Sequence, residues 1–183
     1  MNKAVFLDRD GTINKEVGYL TSITEFEFLP KVIKALKLLS KTDYKIIILT
    51  NQSGIARGYF DEKTLKEIHK KMCDDLKTEG IRVDKIYYCP HHPDENCKCR
   101  KPKTGMIKKA EEDFNLNLKN SYLIGDSTRD IKTGINAGCK TILVKTGYAG
   151  KDGKYKVKPD YEVSNLFEAI KIIAKNGIEG YSR

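Results

Sequence analysis

Asp8-Arg9-Asp10-Gly11-Thr12 places two carboxylates two positions apart, directly after the apolar run Ala4-Val5-Phe6-Leu7. Two more polar clusters also follow apolar runs. Thr50-Asn51 comes after Ile46–Leu49, and Gly125-Asp126-Ser127 after Tyr122–Ile124. A single aspartate in such a place reads as a turn residue or a helix cap. Three clusters in this order read as one site, because ligands of an open parallel sheet bind beyond the carboxyl ends of its strands. Converging Asp8, Asp10 and Asp126 would repel one another unless a hard cation neutralised them, and Mg²⁺ suits an all-oxygen site that also meets phosphate. The chemistry expected is phosphoryl transfer. Asp8 is the candidate nucleophile and Asp10 the group that handles the leaving-group proton. Thr50 and Lys101 are the candidate donors to the phosphoryl oxygens. Gly11 lets the backbone turn beside them.

A second set of chemical residues is Cys89-x-His91 followed by Cys97-x-Cys99. Three thiols and an imidazole in one short loop match a tetrahedral Zn²⁺ site. A full ligand set leaves no open position, so the expected role is structural, giving shape to an irregular loop over about residues 89–99. His92 is an alternative to His91. Arg100-Lys101-Pro102 follows the last ligand directly, so folding around zinc would aim Arg100 and Lys101 at the phosphate; Lys103 competes with Lys101 for that role. His69, on a helix, reads as a plain surface residue. Cys73 and Cys139 read as small core residues.

The elements that must position these residues are legible from periodicity. Strands are expected over Lys3–Leu7, Lys45–Leu49, Asp84–Tyr88, Ser121–Ile124 and Thr141–Val144. Helices are expected over Lys31–Ser40, from Asp61 as N-cap to about Glu79, and over Gly105–Phe114, Thr128–Ala137 and Asn165–Lys175. Thr50–Gly54 and Pro90–Lys103 read as loops. Gly147–Pro159 reads as either a flexible loop or an ordered surface turn. Alternating strands and helices imply an α/β, Rossmann-like, doubly wound parallel sheet with right-handed crossovers.

Length and composition fit this. The chain has 183 residues, 39% hydrophobic and 32% charged, a globular balance that suits a single domain over residues 1–183. No apolar run approaches the ~20 residues of a membrane-spanning helix. The apolar start is too short for a signal peptide, so a cytoplasmic protein without a membrane partner is expected. Five cysteines, an odd number, argue against a disulfide framework. The net charge of +9 has two readings, an anion or nucleic-acid binder and a lysine-rich solvated surface. The lysines are dispersed without interleaved aromatics, so no nucleic-acid partner is expected. A zinc-stabilised nucleic-acid module or a polynucleotide phosphatase stands as the contrasting reading.

The ordered set Asp8-x-Asp10-Gly11-Thr12, Thr50, Lys101 and Gly125-Asp126 with Asp130 resembles the four motifs of the haloacid dehalogenase (HAD) superfamily. The resemblance implies Asp8 as nucleophile and Asp10 as general acid/base. It implies Mg²⁺ held by the Asp8 side chain, the Asp10 backbone carbonyl and Asp126, with Thr50 and Lys101 stabilising the phosphoryl group. It also implies a first strand central beside the fourth, and a chain too short for a large cap domain. Asn51-Gln52-Ser53-Gly54-Ile55-Ala56-Arg57-Gly58, the zinc loop and Arg100-Lys101-Pro102 are similar to the D-glycero-D-manno-heptose 1,7-bisphosphate 7-phosphatases, relatives of the histidinol-phosphate phosphatases. That likeness implies a small phosphorylated sugar as partner; a monomer is expected. It implies contacts from Glu16–Tyr19, from Thr50, Asn51, Gln52 and Ser53, and from Arg100 and Ser127. Arg57 and Arg100 are expected to supply cations for a second phosphate. The chain departs from its look-alikes at Lys31, where many have glycine, and at Ser127, where some have lysine.

Overall fold

Alternating strands and helices build one six-stranded, all-parallel sheet in a computed structural model that describes residues 1–179. The strands are β1 (Ala4–Leu7), β2 (Lys45–Asn51), β3 (Lys85–Cys89), β4 (Tyr122–Gly125), β5 (Lys140–Val144) and β6 (Tyr161–Val163). The helices are α1 (Val32–Leu39), α2 (Glu62–Thr78), α3 (Gly105–Phe114), α4 (Thr128–Ala137) and α5 (Leu166–Glu179). The sheet order β3-β2-β1-β4-β5-β6 puts β1 between β2 and β4. Chain direction away from β1 reverses there, which opens a crevice at the carboxyl ends of β1 and β4.

The central strand alternates between two cores. Val5 and Leu7 face α1 and α5, in a cluster with Leu36, Ile46, Ile48, Ile170 and Ile173. Ala4 and Phe6 face α3, in a cluster with Ile47, Leu49, Met106 and Ile107. Because both faces are covered, the inner strands read as continuous apolar runs rather than alternating ones.

Three differences from the expected elements matter, and one segment takes one of its two expected forms. Thr50 and Asn51 are not loop residues: they end β2, paired with Tyr88 and Cys89 of β3, so strand geometry holds their side chains. The edge strand β6 has three residues, and its exposed composition carries no apolar signal. Lys31 precedes α1 with φ 67°, in the left-handed region that favours glycine, which accounts for the look-alikes' glycine at this position. Finally, the start of the Gly147–Pro159 segment is an ordered turn: Gly150 N–H donates to the Asp126 carbonyl at 2.7 Å. No described helix is long and apolar enough to cross a membrane. Among the described residues no insertion forms a cap domain.

Candidate active site

β1 delivers Asp8 to the crevice, and the loop after the zinc-type cluster delivers Lys101. Lys101 Nζ lies 2.8 Å from Asp8 Oδ1 and 2.6 Å from Asp130 Oδ1, and donates to the Leu49 carbonyl at 3.1 Å. Asn51 at the end of β2 clamps the Lys101 backbone from both sides. Its Oδ1 accepts the Lys101 N–H at 3.1 Å and its Nδ2 donates to the Lys101 carbonyl at 3.3 Å. Lys103 instead donates to the Asn96 carbonyl at 2.6 Å, so it closes the neighbouring loop and leaves the site to Lys101. Burial opposes the charge on Lys101, yet the Asp130 and Asp8 carboxylates outweigh it and raise its pKa.

Three carboxylates face that one ammonium. Asp8, Asp126 and Asp130 offer oxygens within 4.8 Å of one another. Burial, then repulsion from Asp130, raises Asp8 to about 7 against the pull of Lys101. Burial, then Asp8 and Asp130, raises Asp126 to about 9. This uncompensated negative charge on hard oxygen donors fits Mg²⁺. Asp130 is the least available of the three, because it also accepts from the Ser127 hydroxyl at 2.6 Å and caps α4.

Asp126 is set by backbone. Tyr148 N–H donates to its Oδ2 at 2.6 Å, and Thr146 Oγ1 ties the same turn to the Gly11 carbonyl at 2.6 Å. Gly11 (φ +78°) and Gly147 (φ +50°) both press on the carboxylate: a Cβ would stand 2.3 and 2.1 Å from Asp126 Oδ2. Any side chain at either position would displace the carboxylate.

Asp10 sits apart from this cluster in a ring of donors. Arg9 Nη2 donates to both of its oxygens at 2.9 Å, Asn14 Nδ2 to Oδ1 at 2.9 Å, and Gln52 Nε2 to Oδ2 at 2.9 Å. Burial alone would raise its pKa, but the Arg9 guanidinium and these amides outweigh it and hold Asp10 ionised. Thr50 Oγ1 lies 3.5 Å from Asp10 Oδ2 and accepts from Gln52 Nε2 at 2.7 Å. His69, read as a surface residue, is in fact buried, with Nε2 3.1 Å from Arg9 Nη1. It lies on the stripe of α2 that carries Leu65, Met72 and Leu76 inward, so helix phase decides its burial.

At the end of β3, Cys89, His91, Cys97 and Cys99 gather as expected. His91 Nδ1 lies 3.2 Å from Cys99 Sγ and 3.6 Å from Cys89 Sγ; Cys97 Sγ lies 3.5 Å from Cys89 Sγ and 3.4 Å from Cys99 Sγ. Tetrahedral ligands at the ~2.3 Å of a Zn–S bond are roughly 3.8 Å apart, so the set fits Zn²⁺ closely. His92 is excluded because it caps the short helical turn Pro93–Glu95. Gly105 at the start of α3 lies so close to the loop that a Cβ would stand 2.4 Å from the Lys98 carbonyl oxygen.

The resulting cleft, of about 230 Å³, is lined by Asp8, Asp10, Thr50, Lys101, Asp126 and Asp130, and by Glu16, Tyr19, Asn51, Gln52, Ser53, Arg100 and Ser127. Apart from the separate Cys/His cluster, the structure brings the expected site residues together in this cleft except Val17 and Arg57, which are exposed and outside the lining. In place of Arg57 stands Arg129, in the first turn of α4, which sequence reading missed. Its signal was its position three residues after Asp126. Tyr148 also lines the cleft, and nothing local marked it. Arg100 Nη1 is buried without a hydrogen-bond partner. Burial and the neighbouring positive Arg129 lower the Arg100 pKa. Tyr19 stacks edge-on against Tyr59 at 4.7 Å on the rim.

Comparison with known proteins agrees with this geometry. The family described as HAD-hydrolase-like matches residues 98–169. The chain is 40% identical over 182 residues to the D-glycero-beta-D-manno-heptose-1,7-bisphosphate 7-phosphatase of Haemophilus influenzae, covering 96% of this chain and 98% of that one. It is 46% identical over 154 residues to the D-glycero-alpha-D-manno-heptose-1,7-bisphosphate 7-phosphatase of Photorhabdus laumondii, covering 80% of this chain and 84% of that one. The fold superposes with TM-score 0.89 and 36% identity on the D,D-heptose 1,7-bisphosphate phosphatase of B. bronchiseptica complexed with magnesium and phosphate, covering 95% of this chain and 99% of that one. The chain thus belongs to the heptose-1,7-bisphosphate 7-phosphatase family of HAD-like hydrolases and is a phosphatase.

Proposed function

We propose that the chain removes the 7-phosphate of D-glycero-D-manno-heptose 1,7-bisphosphate through an acyl phosphate on Asp8, with Mg²⁺ as cofactor. The observation that carries the substrate reading is the pair Arg100 and Arg129 on the cleft wall, with Arg100 Nη1 buried and unpartnered. A buried donor nitrogen without a partner is costly until an acceptor reaches it. Lys101 sits beside Asp8 and Asp130 at the point of phosphoryl transfer, so it is not free to read a second phosphate. A second phosphate on the substrate satisfies the arginines, and a planar guanidinium suits it.

In this reading the Asp8 carboxylate attacks phosphorus while Lys101 and Thr50 hold the phosphoryl oxygens. The bond to the C7 oxygen breaks, and that oxygen takes its proton from Asp10. Asp10 is ionised in the resting site; the approach of a dianionic phosphate raises its proton affinity by like-charge repulsion, so it takes up a proton from solvent as substrate binds and holds it for the leaving oxygen. Asp10 then takes a proton from the water that hydrolyses the acyl phosphate, which returns Asp8 as a carboxylate. Mg²⁺, when bound, neutralises the carboxylate cluster and withdraws charge from the phosphate; the side chains of Asp8 and Asp126 and the Asp10 carbonyl would hold it. The Cys89, His91, Cys97 and Cys99 set is read as a structural zinc centre that fixes Arg100 and Lys101.

The test is kcat/KM with Mg²⁺ across both heptose anomers, fructose 1,6-bisphosphate, histidinol phosphate and a 3′-phosphorylated oligonucleotide, for wild type and Asp8→Asn. A heptose bisphosphate should be preferred, and Asp8→Asn should not turn over. Preference for histidinol phosphate or the oligonucleotide overturns the substrate; wild-type kcat in Asp8→Asn overturns the mechanism.

A further inference from the structure

Arg9 is completely buried, an uncommon place for a guanidinium, and it is held at both ends. One end grips the Asp10 carboxylate, with Nη2 2.9 Å from each oxygen and Nε 3.2 Å from Oδ1. The other end, Nη1, lies 3.1 Å from His69 Nε2. We infer that His69, on α2, is a positioning residue for catalysis: it fixes the Arg9 guanidinium, and through it the Asp10 carboxylate. This rests on the acid–base role proposed above for Asp10.

The chemistry of the contact is one-directional. A guanidinium has donors and no acceptor, so His69 Nε2 must accept, and the ring must be neutral with its proton on Nδ1. Burial, then the nearby Arg9 charge, lowers the His69 pKa to about 3, which agrees with a neutral ring. His69 interrupts an otherwise apolar stripe of α2 (Leu65, Ile68, Met72, Leu76), and Tyr88 packs edge-on beside its ring at 6.1 Å. A well-packed apolar residue would serve that stripe as well if packing were the whole role. Without the acceptor, Nη1–H becomes a buried unpaired donor. The guanidinium then relaxes about its remaining anchor, and Asp10 moves with it. Asn14 and Gln52 hold one carboxylate oxygen each, so only Arg9 grips both oxygens and sets the carboxylate plane. A shift of about 1 Å in a group that must reach the leaving oxygen lowers the rate by about 100-fold.

The experiment separates this role from a structural one by the leaving group. The C7 alkoxide of a heptose bisphosphate needs a proton as it leaves, whereas the nitrophenolate of p-nitrophenyl phosphate does not. Since kcat/KM reports events up to phosphoryl transfer onto Asp8, misplacing Asp10 hurts the first substrate selectively. His69→Leu should lower kcat/KM for the heptose bisphosphate about 10- to 100-fold and for p-nitrophenyl phosphate by less than about threefold. His69→Gln, whose side-chain carbonyl reaches about as far as Nε2, should restore the heptose activity to within about threefold. His69→Asn is one bond shorter and should behave like Leu; it replaces the Leu variant if that one does not fold. Equal losses on both substrates, or no loss on either, would overturn the role of His69. Asp10→Asn is the control: unless it shows the same leaving-group selectivity, the acid–base reading itself falls.

Discussion

Lys101 Nζ lies 2.8 Å from Asp8 Oδ1, with 3% and 14% of the two side chains exposed. The pair is a buried contact between two segments far apart in the chain, and the same ammonium binds Asp130. The charge balance around Asp8 and Asp130 depends on this cation.

Lys101→Met should therefore act on rate and stability together. Removing one member of a buried ion pair leaves the others uncompensated, at about 3–5 kcal/mol. Loss of a preorganised donor to the phosphoryl group lowers kcat about 10²- to 10³-fold. Thermal melting and steady-state kinetics on the same preparation check both effects.

Magnesium should reverse a pH-dependent weakness of the metal-free protein. Asp8 and Asp126 are raised from 3.8 to about 7 and about 9, so in the folded state they hold protons that the unfolded chain has released. Their contribution to stability consequently falls as pH rises toward about 9. Below about 6.5 the neutral, buried His69 acts in the opposite direction, because the unfolded chain takes up a proton there that the native site refuses. Between about pH 6.5 and 9, magnesium-free, zinc-loaded protein should lose melting temperature relative to Asp126→Asn, whose profile should be flatter. Mg²⁺ should restore the wild type and leave the variant unchanged. A wild type and variant with parallel profiles would contradict this.

Zinc should be present at about one ion per chain, since the four ligand atoms already stand near tetrahedral separations. Cys97→Ser should lower zinc content by elemental analysis. It should also raise KM, because Arg100 directly follows the ligand loop and lines the cleft. Undiminished zinc and unchanged kinetics in this variant would exclude the coupling.

Arg129→Ala tests where the second phosphate is read. KM for a bisphosphate should rise by about 10-fold or more, and for a monophosphate by much less, as expected when a charged pairing on one phosphate is lost. Arg57→Ala, outside the cleft, should change neither. Equal increases for both substrates would mean that Arg129 acts on the transferring phosphate.

Much of this protein was readable along the chain. The strand–helix alternation, the three carboxylates beyond strand ends and the four zinc-type ligands are local patterns, because side-chain spacing and backbone propensity act over a few residues. Where the alternatives were themselves local neighbours, the fold supplied the physical reason for the choice. His91 was selected over His92 because His92 is spent capping a turn, and Lys101 over Lys103 because Lys103 closes onto Asn96. Arg57 and Arg129 exchanged places for the same reason: proximity in sequence to a motif does not give the direction in which a side chain leaves its element.

The remaining features depended on contacts between distant segments. Thr146 reaches the Gly11 carbonyl, Tyr148 N–H sets Asp126, and α2 brings His69 to Arg9 across 60 residues. The sequence by itself marked most of the candidate site residues, because the spacing that makes the motifs is local, but not Arg129, Tyr148 or the burial of His69. Only the tertiary structure decided which of them are buried, what each is bonded to and therefore what charge it holds, because desolvation and ion pairing depend on neighbours that the chain supplies from elsewhere.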